Sequence, residues 1–279
     1  MALRPITLIT GASSGIGREL ARVFARNGHD LALVARRKDR LEALATEIEA
    51  SHARRPTVIV ADLEKPEGLS IIADALGSAG AEPQYLVNNA GFGLLGRADA
   101  GDRKAQLAMI DLNMRALTAL SLAFIPALER HKGGILNVGS MAGFLPGPGM
   151  AVYYASKAYV RSFSDALHHE LKPRAIRVTN LAPGPVPTEF GERAGSKTIN
   201  TPSLLTQKAE YVAELGYRGL MEGKRLVVPG RLNRAVVELV SFVPRGLLLK
   251  VMERRQSRRF DATKPRTKPR KLSKSPRKR

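Results

Sequence analysis

The 279-residue chain contains no cysteine, so disulfides, thiolate catalysis and cysteine-built zinc sites are excluded. Its five histidines, His29, His52, His131, His168 and His169, form no H-x-x-x-H pair, which leaves a helix-borne metal site without support. No uninterrupted apolar run reaches the roughly 18 residues of a membrane-spanning helix. The N-terminus, MALRPITLITGASSGIG, lacks the long apolar stretch and cleavage region of a secretory signal. A cytoplasmic location is the resulting expectation. Acidic residues are also scarce: 25 Asp and Glu stand against 45 Lys and Arg, a formal charge of +20.

That excess is concentrated at one end. Thirteen Lys or Arg and one Asp fall between Arg254 and Arg279, leaving +8 for residues 1–253. From Asp261 to Arg279 there is almost nothing apolar to bury, and the segment reads as a disordered basic tail over 261–279. Such a run attracts phosphates with strong salt dependence, but no recognition module accompanies it, so no sequence-specific nucleic-acid binding is expected. Ahead of it, residues 233–260 read as an amphipathic basic helical extension. Val236, Val237, Val240, Val243, Leu247, Leu248 and Val251 give its apolar side, and Pro244 should kink or split the helix. Two uses are open for it: packing, on the remaining 1–232 domain or against a second copy, or weak contact with an anionic membrane surface, which would make the protein peripheral.

Over residues 1–232, short apolar runs alternate with helical patterns. ITLIT, DLALVAR, PTVIVADL, PQYLVNNAG, GGILNVGS, IRVTNLAPG and KRLVVPG read as strands. Helices are expected at Gly15–Gly28, around Leu41, Leu44 and Ile48, over Glu67–Gly80, from about Asp102 to His131, from near Tyr153, and over Ser203–Gly223. This spacing suits parallel crossover units, so the fold class is α/β, one domain with a mostly parallel sheet covered on both faces.

Between the first strand and helix lies TGASSGIG, with Gly11, Gly15 and Gly17. Glycines there permit a tight turn and close approach of backbone N–H groups to a pyrophosphate at a helix N-terminus. The end of the second strand carries Ala35, Arg36, Arg37 and Lys38 in place of an acidic residue. Positive charge there suits a ribose 2′-phosphate, which points to NADP(H). Asp62 ends the third strand within reach of the adenine.

Further on, YYASK sets Tyr153 four residues before Lys157, on one helix face. A phenol of pKa about 10 donates protons poorly at neutral pH, and a neighbouring ammonium lowers that value. Tyr154 lies one position off that face and is assigned to packing or a pocket wall.

Taken in order, Thr10 to Gly17, Asp62, the NNAG run at Asn88 to Gly91, Asn113, Ser140, Tyr153 with Lys157, and Pro183-Gly184 resemble the classical short-chain dehydrogenase/reductase family over roughly residues 5–230. The resemblance implies a doubly wound Rossmann-like sheet, typically seven strands, and a metal-free hydride transfer between NAD(P)H and a carbonyl or alcohol. It implies Asn113, Ser140, Tyr153 and Lys157 as the catalytic set. Tyr153 is then the proton carrier, Lys157 tunes it and holds the nicotinamide ribose, Ser140 positions the substrate oxygen, and Asn113 supports a proton-relay water. The implied cofactor wall is Gly11, Ser13, Ser14, Gly15, Ile16, Gly17, Arg36, Arg37, Asp62, Leu63, Asn89, Ala90, Gly91, Tyr153, Lys157, Pro183, Gly184, Val186 and Thr188. A homo-dimer or homo-tetramer follows from the same likeness. The alternative, a non-catalytic nucleotide-binding or scaffold protein on this fold, does not require all four catalytic residues. Phe92, Leu94, Leu95, Met141, Phe144, Leu145, Met150 and Phe190 flank the motifs and suggest an apolar cleft, suited to a 3-oxoacyl, steroid-like or aromatic ketone. Gly191, Gly195 and the polar run after them read as a lid.

Overall fold

The computed structural model describes residues 3–52, 54–195, 203–240 and 242–263, with backbone alone for 255–263. Runs rich in Ile, Leu and Val form β1 (Arg4–Thr10), β2 (Leu31–Ala35), β3 (Thr57–Val60), β4 (Ala81–Asn88), β5 (Gly134–Val138), β6 (Arg177–Leu181) and β7 (Leu226–Val227). They make a seven-stranded sheet in the order β3-β2-β1-β4-β5-β6-β7, parallel throughout. Its central strands are buried on both faces, and so read as nearly continuous apolar runs rather than alternating ones.

Helices α1 (Gly15–Arg26), α2 (Lys38–His52) and α8 (Ala209–Met221) cover one face. There Leu20, Phe24, Leu41, Leu44, Val212 and Leu220 pack on Ile9, Leu33 and Leu136. Helices α3 (Gly68–Ser78), α4 (Arg103–Ile110), α5 (Leu117–Arg130) and α6 (Ala151–Leu171) cover the other, around Ile6, Leu8, Leu86, Ile135 and Val178. The strand order reverses between β1 and β4, which opens a crevice at the carboxyl ends of these strands.

The helix expected over 102–131 is present but interrupted. Asp102 caps it by accepting the Lys104 N–H at 2.9 Å, and a π-helical turn at Asp111–Ala116 joins α4 to α5. By length and composition Arg103–Arg130 is apolar enough to cross a membrane, although charged residues interrupt it. Instead it lies on the sheet, with Met109, Leu112, Leu120 and Leu128 in the core. Another expected helix, over 203–223, begins only at Ala209 after a 3₁₀ turn at Ser203–Leu205. The Gln207 N–H is held by the Pro185 carbonyl at 3.0 Å, which keeps this stretch on the loop that follows β6.

The boundary expected at 232/233 cuts through a helix that belongs to the domain. Helix α9 (Arg231–Val240) buries Val237 in a cluster with Met141, Ala182 and Val228. Its Asn233 is fully buried and donates to the carbonyls of Leu205 (3.2 Å) and Pro229 (3.0 Å). After a break at Pro244, α10 (Arg245–Thr263) runs past the boundary drawn at 260/261. The apolar side expected along this extension is divided: Val237 is buried, while Leu247 and Val251 are exposed with Leu239, Phe242 and Leu249, and Met252, outside that side, is buried as well. The polar run at 196–202 and the tail at 264–279 lie outside the described residues.

Candidate active site

The crevice is a continuous cleft of about 800 Å³ that runs from the β2–α2 junction to α6 and α10. At its nucleotide end the β1–α1 turn is set by two glycines for different reasons. Gly11 has φ of 67°, open to glycine at little cost. Gly17 has an ordinary backbone, but a Cβ there would overlap Asn89 and the Gly11 carbonyl. The turn is braced from β4. Thr10 Oγ1 donates to the Val87 carbonyl (3.1 Å) and accepts the N–H groups of Asn89 (3.0 Å) and Ala90 (3.1 Å). Asn89 Nδ2 returns to the Thr10 carbonyl at 2.9 Å. The glycines keep the backbone of this turn open to the cleft beside the α1 N-terminus, which fits a dinucleotide pyrophosphate.

Gly11, Ser13, Ser14, Gly15, Ile16, Arg36, Arg37, Asp62, Leu63, Asn89, Ala90 and Gly91 line the cleft, and so do Pro183, Gly184, Val186 and Thr188 on the far side. Gly17 stands behind the wall, as the clash just described requires. Thr188 leans on Gly15 and caps the short helix α7 (Glu189–Arg193) by accepting the Phe190 N–H at 3.4 Å. Gly184 has to be small because Asn233 of α9 packs against it.

Tyr153 and Lys157 sit in the first two turns of α6. A buried polar chain fixes this helix to the sheet. Asn88 Nδ2 donates to Ser121 Oγ (3.0 Å) and Asn137 Oδ1 (2.9 Å), and Asn137 Nδ2 donates to Ser164 Oγ (2.9 Å) on α6. None of Ser121, Asn137 and Ser164 stands out in the sequence, because a lone polar residue in an apolar run carries no local sign of its partner.

Lys157 is buried, and its Nζ donates to the Val138 carbonyl at 2.8 Å. Burial pushes its ammonium down to about 8. The Tyr153 ring is partly exposed but its hydroxyl is enclosed, and burial pushes the phenol up to about 12 against a hydrogen bond from Ser140 that favours the phenolate. The lowering of Tyr153 expected from Lys157 is not seen: desolvation dominates at both groups, raising an acid and lowering a base. Ser140 Oγ also accepts the Ala142 N–H at 3.1 Å, which fixes its position. Tyr154 packs its ring on Gly147, in keeping with a wall residue.

Asn113 is buried behind the cleft in the π-helical turn, a deviation often found at functional sites. Its Nδ2 donates to the Phe92 carbonyl (2.9 Å) and Ser156 Oγ (3.0 Å), and its Oδ1 accepts the Phe92 N–H (3.1 Å). The side chain braces the Gly91-Phe92 loop against α6.

At the substrate end Leu95, Met141, Leu145, Met150 and Phe190 line the cleft as expected. Phe92, Leu94 and Phe144 do not: Phe92 lies under the Arg193 guanidinium at 4.4 Å, Phe144 under that of Arg161 at 4.2 Å, and Leu94 packs on the core. Leu205, Val236 and Met252 join the wall from segments outside every motif. Arg40, Glu64, Glu189 and Arg193, equally unmarked in the sequence, line the nucleotide half.

Residues 5–198 match the family model described as short chain dehydrogenase. The chain belongs to the short-chain dehydrogenase family. It is 40% identical over 219 residues to sulfoacetaldehyde reductase 2 of Chromohalobacter salexigens, covering 75% of this chain and 86% of that one. Among solved structures, a short-chain dehydrogenase from Sphingobium yanoikuyae in complex with NADPH is 34% identical, with a TM-score of 0.75 and coverage of 86% and 96%. The bulky-bulky ketone specific alcohol dehydrogenase of Comamonas testosteroni is 30% identical, with a TM-score of 0.70 and coverage of 88% and 96%. This short-chain dehydrogenase is accordingly an NADP(H)-dependent oxidoreductase.

Proposed function

We propose that the enzyme reduces a medium or large apolar ketone with NADPH, with Tyr153 as proton donor. The observation that carries this is the wall of the cleft beyond Tyr153, where Leu95, Leu145, Met150, Phe190, Val236 and Met252 offer apolar surface. Bound NADPH supplies the hydride that reduces the carbonyl carbon. The Tyr153 phenol, protonated at neutral pH, donates its proton to the carbonyl oxygen as negative charge develops there. The Ser140 hydroxyl, beside Tyr153, donates a hydrogen bond to the same oxygen. Lys157, buried below, would hold the nicotinamide ribose, Arg36 and Arg37 would hold the ribose 2′-phosphate, and Asn113 positions the Gly91-Phe92 loop against α6.

Two of the three relatives bracket the choice, one named for sulfoacetaldehyde and one for bulky ketones. The lining of this cleft favours the second. Across a series of ketones of rising apolar size, kcat/KM should climb by about tenfold for every 50 Å² of added buried surface, the transfer value of apolar area. Met252→Ala should flatten the rise at its upper end. A profile that is flat, or highest for sulfoacetaldehyde, overturns the substrate class.

The extension adds a second reading. Leu239, Phe242, Leu247, Leu249 and Val251 are exposed beside exposed Arg234, Arg245, Lys250 and Arg254. Apolar side chains among cations suit the interface of an anionic bilayer, where each basic residue contributes about 1 kcal/mol at close range. The full chain should float with anionic vesicles and not neutral ones, less so at physiological salt. A chain ending at Arg259 should float less. No flotation at low salt excludes surface attachment.

A further inference from the structure

Every arginine at the nucleotide end of the cleft is engaged by a carboxylate. Arg37 Nη1 donates to Glu189 Oε2 at 2.7 Å, and Arg40 Nη1 to Glu189 Oε1 at 2.6 Å. The remaining edge of Arg37 faces Ser13 Oγ, at 3.3 Å from Nε and 3.1 Å from Nη2. On the other side Arg36 and Arg193 share Glu64 Oε1, at 3.0 and 3.1 Å. Glu189 and Arg193 are the two ends of α7, so this short helix is tied at both ends to the β2 and β3 termini.

We infer that Glu189 stands in for the cofactor's 2′-phosphate and competes with it, and that Arg40 is a third cation of the phosphate site, released when Glu189 leaves. The inference rests on the placement of the 2′-phosphate at Arg36 and Arg37.

The geometry supports it in three ways. Glu189 bridges two guanidinium groups with one oxygen on each, through the same kind of charge-assisted N–H···O⁻ bonds that phosphate oxygens accept from arginine. Two anions cannot share the Arg37 edge in a confined cleft, since like charges at contact repel. The competitor is also easily displaced, because its side chain is 42% exposed and exposed ion pairs contribute little. The phosphate is favoured in the exchange by its larger charge and third oxygen. NADH brings no such anion and leaves Glu189 in place. Glu189 therefore lowers affinity for NADP(H) alone, and Arg40 raises it.

The test is calorimetric titration of the cofactor-free enzyme with 2′,5′-ADP and with 5′-ADP, for wild type, Glu189→Gln, Glu189→Ala, Arg40→Ala and Arg37→Ala. Both Glu189 variants should bind 2′,5′-ADP about fivefold more tightly, with 5′-ADP unchanged, the size expected for loss of an exposed competing ion pair. Arg40→Ala should weaken 2′,5′-ADP by about the same factor and leave 5′-ADP alone. Equal or weaker binding of 2′,5′-ADP by both Glu189 variants overturns the competitor. No loss with Arg40→Ala overturns the third cation. If Arg37→Ala keeps the full preference for 2′,5′-ADP, the phosphate lies elsewhere, and the inference falls together with the placement it rests on.

Discussion

Tyr153→Phe should lower turnover by about two to four orders of magnitude, the usual contribution of a positioned proton donor. NADPH should bind within about twofold of its wild-type affinity. The substitution keeps the ring, its edge contact with Tyr154 at 5.9 Å and its tilt on Phe190 at 5.4 Å, so the losses are the proton, a hydrogen bond to the substrate oxygen and the one with Ser140. Tyr154→Phe is the control: its ring packs on Gly147, and turnover should change by less than about threefold. Steady-state kinetics with NADPH consumption, beside calorimetry of NADPH, separates the two effects. Retention of half the wild-type rate by Tyr153→Phe would remove this residue from the mechanism.

The double variant Arg36→Ala, Arg37→Ala should lose about two orders of magnitude or more in NADPH affinity while NADH affinity shifts by less than about threefold. Hydrogen bonds to charged groups are each worth about 1.5–3 kcal/mol, and 1.4 kcal/mol is a factor of ten. Removing the arginines also leaves Glu64 and Glu189 without two of their cations in the same cleft, so a 2′-phosphate would meet net negative charge. Fluorescence titration of both cofactors is sufficient. Equal losses for NADPH and NADH would indicate a structural collapse of the β1–α1 turn instead.

The parts of this site that depend on local chemistry are the parts the sequence makes visible. A glycine turn after a strand, two arginines at the next strand end, and a tyrosine one helical turn before a lysine each carry their reason within a few residues, and family spacing links them. What escapes is what depends on distant packing. Glu189 meets Arg37 and Arg40 across about 150 positions, and Met252 reaches the cleft from a helix with no motif. The tie of Asn233 to the preceding chain is hidden for the same reason: the residue opens what reads as an amphipathic basic extension, and only the fold shows its bonds to Leu205 and Pro229. The ionisation of Tyr153 is a third case. The i, i+4 spacing predicts an ammonium beside a phenol, but only the fold shows how deeply both are buried and that burial is the leading cause of the shift at each.

The contribution of Met252 to the cleft wall has an evolutionary consequence. The proposed reacting groups lie within the stretch matched to the family, whereas Leu205, Val236 and Met252 reach the wall from segments after it, Met252 from α10. Selection on what the enzyme accepts can therefore act on α10 without disturbing hydride transfer or cofactor choice. Relatives with the same reactive core and different final helices are free to diverge in diet while keeping their chemistry, and exchanging that helix between them is a route to new selectivity that leaves the catalytic residues untouched.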